Sequence, residues 1–123
     1  MKTSTAFTPP YAGTKIDEST AIRFLAEDVS DAIIGCWNNR DIRMALRHCD
    51  RFRQNILYEM AFQMGVRGLA GFKKTLTFVQ TRKFEEAAAE MLRGTNKPRS
   101  DWYEDTPERA ERLSREMAAG AVV

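Results

Sequence analysis

Four acids, Glu18, Glu27, Asp28 and Asp31, come nearest to a catalytic arrangement in this chain. Glycoside hydrolysis needs two carboxylates, or one carboxylic acid and a positioned water, facing each other across the scissile bond. These four fall instead on the polar side of one amphipathic helical pattern, the ordinary place for solvated acids. His48 and Cys49 are neighbours, and adjacent helical residues point about 100° apart, so they do not make a nucleophile–base dyad. With a single histidine and no second ligand cluster in the sequence, neither a metal nor another cofactor is expected. Cys36 and Cys49 lie near the ends of neighbouring predicted helices. They read as small apolar side chains rather than a disulfide. Arg67, Lys73, Lys74, Arg82 and Lys83 gather near one corner and read as a solvated charged face, with an anionic partner as the second reading. No residue is assigned a catalytic role.

The elements that must position any site turn on one stretch. Gly65, Gly68 and Gly71 stand three apart between two apolar-periodic runs. A glycine just past such a run is the usual left-handed stop, so the chain is expected to turn, make about one helical turn, and turn again. Small residues at this spacing would also admit a second helix close to the backbone.

A first helix is predicted from an Asp17 N-cap to about Trp37, with Ile22, Leu25, Val29, Ala32, Ile33 and Cys36 as its buried stripe. Gly35 is expected to weaken its last turn. Ile42, Ala45, Leu46 and Cys49 mark a short helix or link. A stronger helix follows from about Asp50 to Met64, with Phe52, Ile56, Leu57, Met60, Ala61 and Met64 on a face broad enough to be surrounded by others. Two further helices are predicted over 73–82 and 84–92, then a loop over 94–99. Thr106 and Pro107 supply an N-cap and an N1 proline for a last helix to about Ala118, with Ala110, Leu113 and Met117 inward. Sustained two-residue alternation is absent, so the fold class is all-α, a helical bundle around one central helix.

With 123 residues the chain reads as one domain. Its organisation is expected to be an extended arm over 1–15, a helical domain over 16–118 and a tail over 119–123. The arm has Pro9 and Pro10, and Phe7 and Tyr11 as its apolar anchors, which are expected to bury against this domain or a neighbour. A net charge of +2 demands no nucleic acid partner. Apolar runs fall short of the roughly 20 residues of a membrane span. The first residues lack the apolar region of a secretory signal, so synthesis in the cytoplasm of a host cell is expected.

Several of these stretches together resemble the phage T4-type lysozymes. Met60-Ala61-Phe62-Gln63-Met64-Gly65 and Gly68-Leu69-Ala70-Gly71-Phe72 carry the likeness. It continues through Lys83-Phe84-Glu85-Glu86-Ala87-Ala88, Ser100-Asp101-Trp102-Tyr103 and Thr106-Pro107-Glu108-Arg109-Ala110, with Arg112 after them. The resemblance covers the family's larger helical lobe. The family's catalytic Glu, Asp and Thr belong to another lobe, and only sixteen residues precede Asp17 where the family carries it. The resemblance implies a helical lobe forming one wall of a peptidoglycan cleft. Gln63 and Trp102 match family positions on that wall, and Glu90 stands where the best-known members have a neutral amide. Gln63 capping the corner and Trp102 serving as core are the structural alternatives.

The functional expectation is a phage or prophage lysozyme-derived domain without catalysis, acting as a peptidoglycan-proximal binding or virion and tail assembly module. The alternatives are one helical half of a split muramidase, completed by a catalytic-lobe chain, or a regulator of an intact lysozyme. Expected partners are peptidoglycan and a protein, whether a virion component, a catalytic-lobe chain or a second copy.

Overall fold

The computed structural model describes residues 18–94 and 97–120, with side chains from residue 27 onward. Phe7, Tyr11 and Asp17 lie outside the described residues, as do residues 121–123. The side chains of Ile22 and Leu25 do as well. Among the described residues there are eight helices: α1 (Glu18–Asn38), α2 (Arg40–Leu46), α3 (Arg51–Met64), α4 (Val66–Ala70), α5 (Lys73–Gln80), α6 (Phe84–Met91), α7 (Asp101–Asp105) and α8 (Pro107–Ala119). The all-α expectation holds. The only bridge of β type among these residues is an isolated one between Gly94 and Lys97.

Helix α3 starts where an aspartate can satisfy an orphan amide: Asp50 Oδ1 accepts from Arg53 N at 3.1 Å. Ile56, Leu57, Met60 and Ala61 are buried along it, and it packs against α1, α2, α4 and α8. Helix α6 lies between α5 and α8, so the core runs from Leu46 and Met60 through Ala87 and Met91 to Leu113 and Met117. Arg53 fastens the end of α8. Its Nε and Nη2 donate to Met117 O and Ala118 O at 2.7 and 3.2 Å, and its guanidinium lies 3.7 Å over the Phe84 ring. One side chain thus pairs two terminal carbonyls and joins α3, α6 and α8. Ser114 Oγ adds a bond to Ala88 O at 2.8 Å.

The corner behaves as expected, with local differences. Gly65 ends α3 at φ 86°, a left-handed conformation that glycine adopts without strain. Gly71 instead has an ordinary φ of −70°, because the next turn is made by Phe72. Among the described residues no facing helix approaches the three glycines: the nearest neighbour of Gly68 is Met64, just before it in the chain. The close approach occurs at Gly35, where an added Cβ would stand 2.8 Å from Val66 Cγ2. Gly35 is therefore what lets α4 sit on α1, rather than a mere weakening of a helical turn.

The stripe on α1 is narrower than its spacing predicts. Cys36 is buried, Ala32 and Ile33 are half-buried, and Val29 is 38% exposed. Periodicity marks the apolar side of a helix but not how far along it a neighbour reaches. Asp28 also departs from a fully solvated face, being half-buried with Oδ2 out of solvent and unpartnered among the described residues.

Both cysteines are free. Burial pushes the Cys36 thiol up to about 11; burial, with Asp50 nearby, pushes Cys49 up to about 12. Thiolate is the reactive form, so iodoacetamide at pH 8 should label the folded protein far more slowly than the urea-unfolded chain. Equal rates would contradict this burial.

Candidate functional site

The site is assembled from the two ends of the α3–α5 corner and the α6–α8 segment. Ser100 begins α7 by accepting from Tyr103 N at 3.1 Å while its own hydroxyl donates to Met91 O at 3.2 Å. That double use holds the start of α7 against the end of α6, and it turns Trp102 inward. Phe72 meets Trp102 edge to face, with centroids 6.2 Å apart at 87°.

Gln63, in the last turn of α3, then uses both ends of its amide. Its Oε1 accepts from Trp102 Nε1 at 3.0 Å, and its Nε2 donates to Thr106 Oγ1 at 3.1 Å. Thr106 Oγ1 in turn donates to Trp102 O at 3.1 Å. The amide orientation is fixed by this pattern, since an indole can only donate. Of the two readings of Gln63, the corner cap has no bond behind it, and Thr106 stands at the N-cap position of α8 before Pro107, as its sequence predicts, but makes no capping bond with its side chain. Its hydroxyl turns back to the network instead. Trp102 is core as well as site, at 6% exposure.

These residues border an open cleft of about 900 Å³. Gln63, Met64, Gly68 and Gly71 come from the α3–α4 corner, and Phe72, Lys73, Lys74 and Thr75 from the start of α5. Glu90, Arg93, Gly94 and Lys97 follow from the end of α6 and its loop, and Ser100, Asp101, Trp102 and Asp105 from α7 and its cap. The three sequence candidates Gln63, Glu90 and Trp102 thus meet at one cleft. Arg67, Arg82 and Lys83 are exposed but do not line it.

Thr75 went unnoticed in the sequence. It is 1% exposed, lines the cleft, and its Oγ1 has no protein partner among the described residues. A hydroxyl three residues after Phe72, on the apolar side of α5, was the available signal. A buried unpaired hydroxyl costs about 1–3 kcal/mol. Thr75→Val should accordingly raise stability by about 1 kcal/mol, read as a higher urea midpoint at unchanged slope. A loss of stability would show that the hydroxyl is satisfied.

The charges are partly self-matched. Lys97 Nζ pairs with Asp101, and with Glu104 at 3.4 Å. The Asp101 hydrogen bond holds its ammonium above the usual lysine range. Lys73, Lys74, Arg93, Glu90 and Asp105 form no side-chain ion pair among the described residues. The three carboxylates of the cleft all come from α6 and α7. Among the described residues no group of His, Cys, Asp and Glu is placed to hold a metal, and no helix is long and apolar enough to cross a membrane. The cleft therefore offers an aromatic and amide floor with separated positive and negative groups at its rim.

No model of a known protein family matches the chain. Two curated proteins of Dictyostelium discoideum are similar to it. One, named "Probable T4-type lysozyme 1", is 28% identical over 107 residues, which is 87% of this chain and 59% of that protein. The other, named "Probable T4-type lysozyme 2", is 30% identical over 99 residues, 80% of this chain and 55% of that protein. The chain spans less than two thirds of either relative.

Proposed function

We propose, from this T4-type lysozyme-like sequence and the cleft it builds, that the chain is a peptidoglycan-binding domain that recognises the cell wall without cutting it. The observation that carries the proposal is the Gln63–Trp102–Thr106 network at the cleft. It fixes an aromatic side chain and an amide side by side, the groups that pack on sugar rings and bond to acetamido and peptide amides. Hydrolysis would require a carboxylic acid facing a second carboxylate or a positioned water across the glycosidic bond, and the acids of the cleft, Glu90, Asp101 and Asp105, all come from α6 and α7.

Purified protein should co-sediment with purified sacculi, and co-sedimentation should drop about tenfold when Lys73 and Lys74, exposed residues that line the cleft outside the core, are both replaced by alanine. The same incubation should release no new reducing ends. Release abolished by one acidic substitution in the cleft or on α1 would contradict the proposal.

A second reading has one fact in its favour. The chain matches little more than half of its relatives, so the same cleft would also serve as one wall of a muramidase completed by a separate polypeptide. Reducing ends that appear only when such a polypeptide is added would favour that reading over the first.

A further inference from the structure

We infer that the outward face of α2 is a docking surface for an anionic lipid bilayer, separate from the cleft and independent of the peptidoglycan reading.

Charge is unevenly placed along this chain. Residues 40–83 hold ten Lys and Arg against three Asp and Glu, a local charge of +7 in a chain whose net charge is +2. Two of those three acids are engaged inside the fold. Asp50 caps α3 and faces Arg53, and Glu59 pairs with Arg109 and Arg112 on α8.

Helix α2 concentrates the excess. Ile42, Ala45 and Leu46 are buried, and on the opposite side a span of about 100° carries Arg40, Arg43, Met44 and, at the C-cap, Arg47. None of these arginines forms an ion pair among the described residues. The helix dipole gives Arg47 a local reason to be basic, but Arg40 opens the helix at its positive end, where a cation is disfavoured. Arg43 Nη1 donates to Trp37 O at 2.9 Å and so ties this face to the end of α1. On the other flank, Gln80 Nε2 donates to Asp41 O at 3.0 Å, and the exposed Arg82 and Lys83 follow Gln80 within three residues.

The apolar residues of the face name its partner. Basic side chains alone would suit any polyanion. Of the three large apolar side chains exposed among the described residues, however, Met44 lies between the arginines, and Ile34, 57% exposed, stands one turn before Trp37. The third, Val29, falls between Asp28 and Asp31 and is outside the face. A bilayer surface takes both kinds of group: guanidinium groups reach lipid phosphates while Met and Ile enter the headgroup boundary. A nucleic acid backbone would leave the apolar groups in water.

Sedimentation of the full chain with sucrose-loaded vesicles tests this. The unsubstituted protein is expected to bind vesicles of mixed phosphatidylglycerol and phosphatidylcholine, and not phosphatidylcholine alone, with binding weakened by salt. A basic residue near an anionic bilayer is worth about fivefold in partition, so Arg40→Gln/Arg47→Gln should bind about twentyfold less. Arg109→Gln/Arg115→Gln, the same loss of charge on α8, should bind nearly as the parent does. Ile34→Ser/Met44→Ser should weaken vesicle binding about tenfold and leave retention on duplex DNA at the same salt unchanged. Equal binding to both vesicle types, binding to neither, or equal losses in the two arginine pairs would overturn the inference. Vesicle binding that ignores Ile34→Ser/Met44→Ser would also overturn it, leaving a plain charged face of the kind a nucleic acid meets. The comparison of vesicle types needs no substitution, so it stands even if a variant fails to fold.

Discussion

Replacing Met60 by alanine is expected to lower the free energy of unfolding by roughly 2–5 kcal/mol, the range for removing a large buried apolar side chain. Met60 is fully buried on α3, the helix that touches α1, α2, α4 and α8. Truncation there opens a cavity bordered by several helices at once, and a cavity with many rigid walls collapses poorly. Urea unfolding reads the loss directly. A midpoint shift worth well under 1 kcal/mol would show that α3 is not the element on which the others pack.

Trp102→Ala should cost about 3–5 kcal/mol, because the loss combines a large ring with a broken network. The ring is 6% exposed and packs edge to face on Phe72. Removing its indole N–H also leaves Gln63 Oε1 without its 3.0 Å donor. Trp102→Phe separates the two contributions, since it keeps most of the ring and drops the donor. Its cost should be about 1–3 kcal/mol, the penalty for an unpaired buried acceptor. If the phenylalanine variant matches the parent while the alanine variant does not, packing alone holds α7 in place and the hydrogen bonds are incidental.

Much of this architecture is legible in the sequence because it rests on long apolar patterns. The periodicity of Ile56, Met60 and their neighbours outlines α3, and that of Ala110, Leu113 and Met117 outlines α8. Helix α7 is different. Five residues are too few to show a helical period, and its start is marked only by Ser100, whose cap needs Tyr103 N and whose hydroxyl needs Met91 O. Thr106 followed by Pro107 reads as an N-cap, yet its hydroxyl is drawn to Trp102 O and to Gln63, 43 residues earlier in the chain. Local sequence cannot reveal such a competition, because the winning partner is distant.

The candidate site divides in the same way. Gln63, Glu90 and Trp102 could be singled out through resemblance, and one cleft does bring them together. Their hydrogen bonds could not, since they join residues 39 and 43 positions apart. Thr75 was hidden by its own setting, a polar residue within an otherwise apolar face. Val29 shows the reverse failure: an apolar residue in the right register is 38% exposed, with no helix over it among the described residues.

The central claim is that the cleft beside Gln63 and Trp102 holds peptidoglycan fragments. The chain has two tryptophans, and the other, Trp37, donates its indole N–H to Tyr58 OH at 2.8 Å and does not line the cleft. Nitrogen–proton correlation spectra during titration with a disaccharide tetrapeptide therefore contain their own control. The account predicts that the Trp102 indole signal and the Gln63 side-chain amide signals shift with added ligand while the Trp37 indole stays fixed. Shifts at Trp37 with Trp102 and Gln63 unmoved, or no shift at millimolar ligand, would contradict it.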